Sequence, residues 1–448
     1  MRVNRDQRRG RGAALTALVA AAAILLAACG IDANSVPSAN ATGTPTQQGN
    51  KAKPQIDIPV TASSTTAPPP ISPDDLFAVA ANVQAFWAKE LPAVYGVAYK
   101  PLPPARIIAG TPDSDYPVCE GKRLAFDDVE GNAFAAPCPE GLTVVWDADK
   151  LLPSINEKYG PVAAAIVLAH EWGHIAQFET KVDADTVILE QQADCFAGTW
   201  LHQLIDDPGA LGSLAKANPL DSAVSSIIEF RDAPGSSPND PGAHGTGFDR
   251  VRALQEGYDR GGDYCKDYVT KPLPLVQLDL PNDGSSGNLP LDELVPLVVD
   301  DLNAFYNQII DNFRGASADA VFADTAAKAT LEDLSDRIGD NAAGVVLGMI
   351  WAGFAQQQVP SDGGRDKVGL LQQQACMAGG WLANVYNDTS EQRDLSLTAG
   401  DLDEAILGLI DLGGQSGKAQ DTDGSVFRLI ASLRQGVVDG FDSCKLGS

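Results

Sequence analysis

Two histidines four residues apart, His170 and His174, flank Glu171 in the run Ala163-Ala-Ala-Ile-Val-Leu-Ala-His-Glu-Trp-Gly-His. On a helix, positions i and i+4 share a face, so both imidazoles can converge on one metal ion. Glu171 then stands beside the ion, able to reach a water held there. A spaced pair of carboxylates follows in Leu189-Glu190-Gln-Gln-Ala-Asp194-Cys195, again four apart and among apolar residues. Carboxylates in such a setting are costly unless paired or bound to metal. Glu190 as third ligand, with Asp194 as acceptor for an imidazole N–H, would supply that pairing. The expected cofactor is one Zn2+ with its fourth position left for water. Zinc lowers the pKa of such a water from about 15.7 towards about 7 and polarises a carbonyl, while a neighbouring carboxylate serves as general base. The reaction this predicts is peptide-bond hydrolysis, with Glu171 taking the proton and passing it to the leaving amine.

Helices must position these groups. Gly160-Pro161 is a plausible start for the first, because proline is tolerated in the first helical turn. The second ends at Asp206-Asp207-Pro208-Gly209, a strong stop. Ser72-Pro73-Asp-Asp opens an earlier helix whose Leu76, Val79, Ala80, Val83, Phe86 and Trp87 fall on one side and read as core. Between them, Arg106-Ile-Ile and Leu142-Thr-Val-Val-Trp146 have the composition of strands, and Cys119 and Cys138 bracket an irregular loop. Further helices are expected over about 221–230 and from Phe248 to near Cys265, after a loop of Gly, Pro, Ser and Asp that contains His244.

The chain has 448 residues and a formal charge of −27. Residues 1–28 carry five arginines and one aspartate, a net +4, so the rest stands at −31. So acidic a surface repels nucleic acid and anionic headgroups. Arg2 to Arg11 precede an apolar stretch, Ala13 to Ala28, that is short for a membrane span and fits a signal peptide over 1–28. It ends Leu26-Ala27-Ala28-Cys29, similar to a bacterial lipobox, which implies cleavage before Cys29 and lipidation of its thiol. Arg8-Arg9 leaves both general and twin-arginine export open. Residues 29–71 are rich in Ser, Thr, Ala and Pro and read as an unfolded spacer. Six cysteines remain, Cys119, Cys138, Cys195, Cys265, Cys376 and Cys444, an even number in an exported chain. Such a set suggests disulfides in one of fifteen possible pairings.

Residues 72–270 resemble the bacterial neutral zinc metallopeptidases, which are zincins. The motifs that carry the resemblance are His170-Glu171-Trp-Gly173-His174, then Glu190-Gln-Gln192-Ala193-Asp194-Cys195-Phe-Ala197-Gly198, then His244-Gly245 before a helix. The resemblance implies a zincin-like domain of α+β class, mainly helical, with His170, His174 and Glu190 on zinc. It also implies Glu171 as base, His244 as a stabiliser of the tetrahedral oxyanion, and a strand bordering the substrate cleft, for which Thr143 to Trp146 is the candidate. A loop histidine capping the next helix is the alternative for His244. His202, past the helix pair, reads as a surface or core residue. As a rival third ligand it would leave the burial of Glu190 unexplained.

The chain also echoes itself. Leu189 to Leu201 lines up with Leu370 to Leu382 at eight of thirteen identical positions, including the cysteine and the tryptophan. Ala163 to Gln177 answers Ala342 to Gln356, and Gly245 to Lys266 answers Gly424 to Lys445. Three blocks in one order argue for duplication. Every chemical position is lost in the second copy: Met349 stands for His170, Ile350 for Glu171, Gly353 for His174, Leu371 for Glu190, Ala375 for Asp194 and Asp423 for His244. Residues 290–448 therefore read as a degenerate, non-catalytic and mostly helical copy, joined through a linker over 271–289. Equivalent cysteines in the two copies favour Cys195 with Cys265 and Cys376 with Cys444, and we pair Cys119 with Cys138.

The expected protein is a zinc peptidase anchored through its lipid to the extracytoplasmic face of the cell membrane, acting on a peptide or protein of the envelope. The alternative is an envelope binding or scaffold lipoprotein with a structural zinc and no turnover. Intact Glu171 favours the first.

Overall fold

The computed structural model describes residues 71–447 apart from positions 120, 217 and 241 and the stretches 277–286, 360–366, 388–393 and 415–425. The leader, Cys29, the Ser/Thr/Pro-rich spacer and most of the linker before residue 290 lie outside the described residues. Among those described, no helix is long and apolar enough to cross a membrane.

The protein is mainly helical, with a small sheet in its N-terminal half. Helix α1 (Pro73–Tyr95) begins at Ser72, whose hydroxyl accepts from Asp75 N–H while the Asp75 carboxylate accepts from Ser72 N–H. This reciprocal cap satisfies two of the free donors of the first turn. The helix buries Leu76, Val79, Val83, Phe86 and Trp87 and stops at Gly96, which takes the left-handed conformation at φ 68°.

Five short strands follow: β1 (Ile107–Gly110), β2 (Val118–Cys119), β3 (Lys122–Arg123), β4 (Ala133–Cys138) and β5 (Gly141–Asp147). The sheet order is β1-β5-β4, parallel between β1 and β5 and antiparallel between β5 and β4. This corrects two expectations. Thr143 to Trp146 lies in the central strand, with partners on both sides, so it has no edge to offer. Among the described residues the edges are β1 and β4, and β4 lies in a region where sequence suggested only an irregular loop. Its run Ala-Phe-Ala-Ala-Pro-Cys lacks clear alternation because nearly every residue is buried, which removes the period-two signal.

Helix α2 (Leu151–Tyr159) leads into α3 (Pro161–Thr180), which carries the His-Glu-x-x-His run. Seventeen of its residues are buried, from Pro161 to Gln177, so α3 is the hub on which α1, α2, β4 and two later helices pack. Helices α4 (Thr186–Asp206), α5 (Pro219–Glu229) and α6 (Gly247–Arg260) complete this half. The helix expected to run on to Cys265 breaks at Gly261 (φ 81°), and α7 (Gly262–Lys266) continues at an angle. Helix α4 crosses α6 backbone on backbone: a Cβ at Gly198 would lie 2.0 Å from the Leu254 carbonyl oxygen, and one at Gly257 1.7 Å from that of Cys195.

The C-terminal half has helices α8 (Leu291–Asn307), α9 (Ala318–Ala323), α10 (Thr325–Arg337), α11 (Asp340–Gln358), α12 (Lys367–Asn387), α13 (Asp401–Gly414) and α14 (Val426–Asp439). Contacts of the first half recur here at matching positions. A Cβ at Gly379 would lie 2.0 Å from Leu433 O, and one at Gly436 1.9 Å from Cys376 O. Gln192 donates to the carbonyls of Cys265 and Lys266, and Gln373 to those of Cys444 and Lys445. Trp200 donates to Asn82 on α1, and Trp381 to Asp301 on α8. The cysteines form three bonded pairs, Cys119–Cys138, Cys195–Cys265 and Cys376–Cys444. The two halves share one continuous hydrophobic core.

Candidate metal centre

Helix α3 places His170 and His174 one turn apart, and α4 lies alongside with Glu190 facing them. The imidazole Nε2 atoms are 3.1 Å apart. Glu190 sets one carboxylate oxygen 3.2 Å from His170 Nε2 and the other 3.3 Å from His174 Nε2. The three donor atoms lie within 4.8 Å of one another. All three residues are 5 % exposed or less. The close approach of α3 and α4 depends on Gly173, where a Cβ would meet the Ala193 backbone at 2.9 Å.

The outer nitrogen of each ring is held. Asp194 Oδ1 accepts from His170 Nδ1 at 2.7 Å, and Gln177 Oε1 from His174 Nδ1 at 2.8 Å. Each ring thus turns Nδ1 outward as a donor and Nε2 into the cluster, the orientation a metal ligand requires. Gln177 is itself fixed, donating to Leu189 O and Gln192. Asp194 is clamped by Arg250 of α6, whose Nε and Nη2 donate at 2.7 and 2.9 Å. Arg250 and Gln177 stand outside the motifs that carry the resemblance, and Gln192 lies within the second of them with no role legible from sequence.

The electrostatics favour a cation at this point. Burial by itself would push His170 down, but the charge and hydrogen bond of Asp194, with Glu190 added, lift it to about 10. Burial likewise opposes charge on Glu190, yet His174, His170 and His244 hold it well below the usual carboxylate range. Burial also works against Asp194, and the charges of Arg250 and His170 overcome it. Two inward-facing imidazole Nε2 atoms and both oxygens of a buried carboxylate form a donor set that draws positive charge to one point. Two nitrogens and one carboxylate are the donors zinc takes in open catalytic sites, so the residues fit the ion.

Glu171 follows His170 and is 3 % exposed. Burial raises its carboxyl, against the pull of the two imidazoles. It also accepts a backbone hydrogen bond from Ala135 of β4, so the open sheet edge runs beside the carboxylate. His244 is buried in the loop before α6. Its backbone N–H donates to Asp232, and its Nδ1 lies 3.4 Å from the same carboxylate. The position is near enough for His244 to act on the charge of Glu190, but His244 is not one of the three clustered donors. The cap of α6 is Thr246, not His244. His202 is half exposed, bonded to Tyr258 O and paired with Asp206, and takes no part in the cluster.

The second half answers each group differently. Met349 and Ile350 are buried where His170 and Glu171 stand, and Ala375 where Asp194 stands. Gln356, the counterpart of Gln177, still donates to Leu370 O and to Gln373, but its oxygen accepts from Gln374 in place of a histidine. Asp423, the counterpart of His244, lies outside the described residues.

Compared with known proteins, the chain matches no family, no curated protein and no solved structure.

Proposed function

We propose that the protein is a zinc-dependent peptidase of the cell envelope, with a zincin-like domain over 72–270 and a degenerate copy of it over 290–448. The clustering of His170, His174 and Glu190 around one point, with Glu171 adjacent, carries this reading. A zinc ion held there would supply Lewis acidity and a water acidic enough to lose its proton near neutral pH. His170 and His174 direct Nε2 lone pairs at it because Asp194 and Gln177 occupy their Nδ1 protons. Glu171 accepts a proton from the attacking water and returns it to the leaving amine. The raised pKa of its buried carboxyl brings proton affinity closer to that task. The open edge of β4, bonded to Glu171 through Ala135, supports an extended peptide pairing there. His244, held by Asp232, is the group we assign to the oxyanion. The resemblance of Leu26-Ala27-Ala28-Cys29 to a lipobox supports a lipid anchor at Cys29 and an extracytoplasmic location.

One observation favours a second reading. His170, Glu171, His174 and Glu190 are all 5 % exposed or less, as in a closed structural site of a binding or scaffold lipoprotein. Wild type and Glu171→Gln, purified in parallel, separate the two. We expect equal zinc content, with hydrolysis of an unstructured protein such as casein by the wild type alone and its loss to chelator. Zinc-loaded wild type inert on several unfolded substrates would establish the second reading.

A further inference from the structure

The two halves exchange carboxylates across their contact. Asp221, in the first turn of α5, accepts from Phe427 N–H at the start of α14 at 2.9 Å. Asp403, in the first turn of α13, accepts from Gly247 and Phe248 N–H at the start of α6 at 3.0 and 2.8 Å. Phe248 and Phe427 occupy matching positions, so each half caps the corresponding helix of the other. The first N–H groups of a buried helix need such acceptors, and a carboxylate also suits the positive end of the helix dipole.

What lies behind the two caps differs. The turn that Asp403 fixes also carries Arg250, whose guanidinium holds Asp194, which holds His170. The Asp403 carboxylate further lies 3.6 Å from Arg231 Nε. The next residue, Asp232, binds the backbone of His244 and Gly245, and Arg250 Nη1 returns to Phe230 O at 2.6 Å. Both arms that reach the ligand cluster from outside α3 and α4 therefore converge on one carboxylate of the opposite half, itself 5 % exposed. In α14 the place of Arg250 is taken by Leu429, and no polar relay leaves it.

We infer that Asp403 is a positioning residue for the metal centre, so that the C-terminal half is a working part of the site. The inference rests on reading His170, His174 and Glu190 as a zinc site. An asparagine at 403 keeps one acceptor oxygen but turns an amide N–H towards a backbone N–H, releasing the first turn of α6 and with it Arg250.

The test uses the full chain and the internal control that the fold provides. Asp403→Asn and Asp221→Asn each remove one cap of the same kind and should lower the thermal midpoint comparably. Zinc affinity is read by competition with a chromophoric chelator, and ligand geometry by the absorption of the cobalt-substituted protein. Groups that orient a metal ligand typically change affinity by about 10- to 100-fold. We expect Asp403→Asn, acting two contacts further out, to weaken zinc by about 10-fold and to shift the cobalt bands. Asp221→Asn should leave both as in wild type. Equal zinc affinities in the two variants, or none altered, overturn the inference. Should Asp403→Asn not fold, Arg231→Gln takes its place, with a smaller loss of zinc affinity expected and an unchanged affinity overturning. Wild type that binds zinc but hydrolyses nothing would remove the peptidase reading and leave this inference standing. Wild type that takes up no zinc would remove both.

Discussion

The pair α3–α4 and the pair α11–α12 share a packing skeleton and differ in chemistry. Both cross a third helix at glycines that admit no Cβ: Gly198 and Gly257 in one half, Gly379 and Gly436 in the other. Both are tied to the short helical segment that follows that third helix by a disulfide and by a glutamine bonding two consecutive carbonyls. Yet His170, Glu171 and Asp194 are buried where the other half buries Met349, Ile350 and Ala375. The skeleton therefore does not need the charges. Burying ions is costly unless they are paired or bound to metal, so their presence in one half alone supports the metal site proposed there. Where the ligands are gone, Gln374 fills the hydrogen bond that a histidine made, which leaves no orphaned acceptor.

The largest expected difference between the halves is chemical. Glu171→Gln should reduce peptide hydrolysis by about 10²- to 10⁴-fold, the usual worth of a general base, while zinc content holds. Ile350→Val, at the matching place, should leave the rate unchanged in the same assay. Loss of rate in both would mean that the halves work as one site.

Next come the disulfides. The separations of 70 and 68 residues each correspond to about 4 kcal/mol of loop-closure stabilisation, against about 3 kcal/mol for the 19-residue loop of Cys119–Cys138. Paired serine variants followed by denaturant unfolding should show the first two losses alike and the third smaller. Unequal costs for the two long loops would break the equivalence of the halves.

The glycines sharpen it further. Gly257→Ala and Gly436→Ala each force a methyl into a carbonyl oxygen less than 2 Å away, and each should cost about 3 kcal/mol by overpacking. Urea midpoints of the two variants should fall together.

Last comes a pH dependence seated in the second half. Asp401 and Glu404, in the first turn of α13, are pushed up by burial to about 7 and about 8. A carboxyl raised in the folded state favours folding fully below its unfolded value near 4, and that contribution is lost as pH rises through the folded value. The thermal midpoint of wild type should therefore fall between about pH 5 and about pH 8, and Asp401→Asn with Glu404→Gln should flatten the slope. Asp249 of α6, raised by burial to about 7, leaves a residual slope from the first half.

The ligand cluster was largely legible because its spacing is local. His170 and His174 share a face of any helix, and Glu190 and Asp194 of the next. The repeated blocks placed cysteines in corresponding positions, and those sulfurs are bonded. The sheet was less legible: β4 is buried along almost its whole length and so loses alternation, and which strand forms the edge depends on pairing order, not on the composition of one strand. Arg250 was invisible because it stands 56 positions from the Asp194 it holds, whereas Gln177, three residues past His174 on the same helix, had a spacing that could have marked it.

Helical periodicity and the donor types follow from the chain itself, since each acts over a few residues. Which carboxylate would stand behind which helix, and that Asp403 from the far half would anchor the turn bearing Arg250, was decided only in three dimensions. Those contacts join residues more than 150 positions apart, and a hydrogen bond across such a span is set by how whole helices pack.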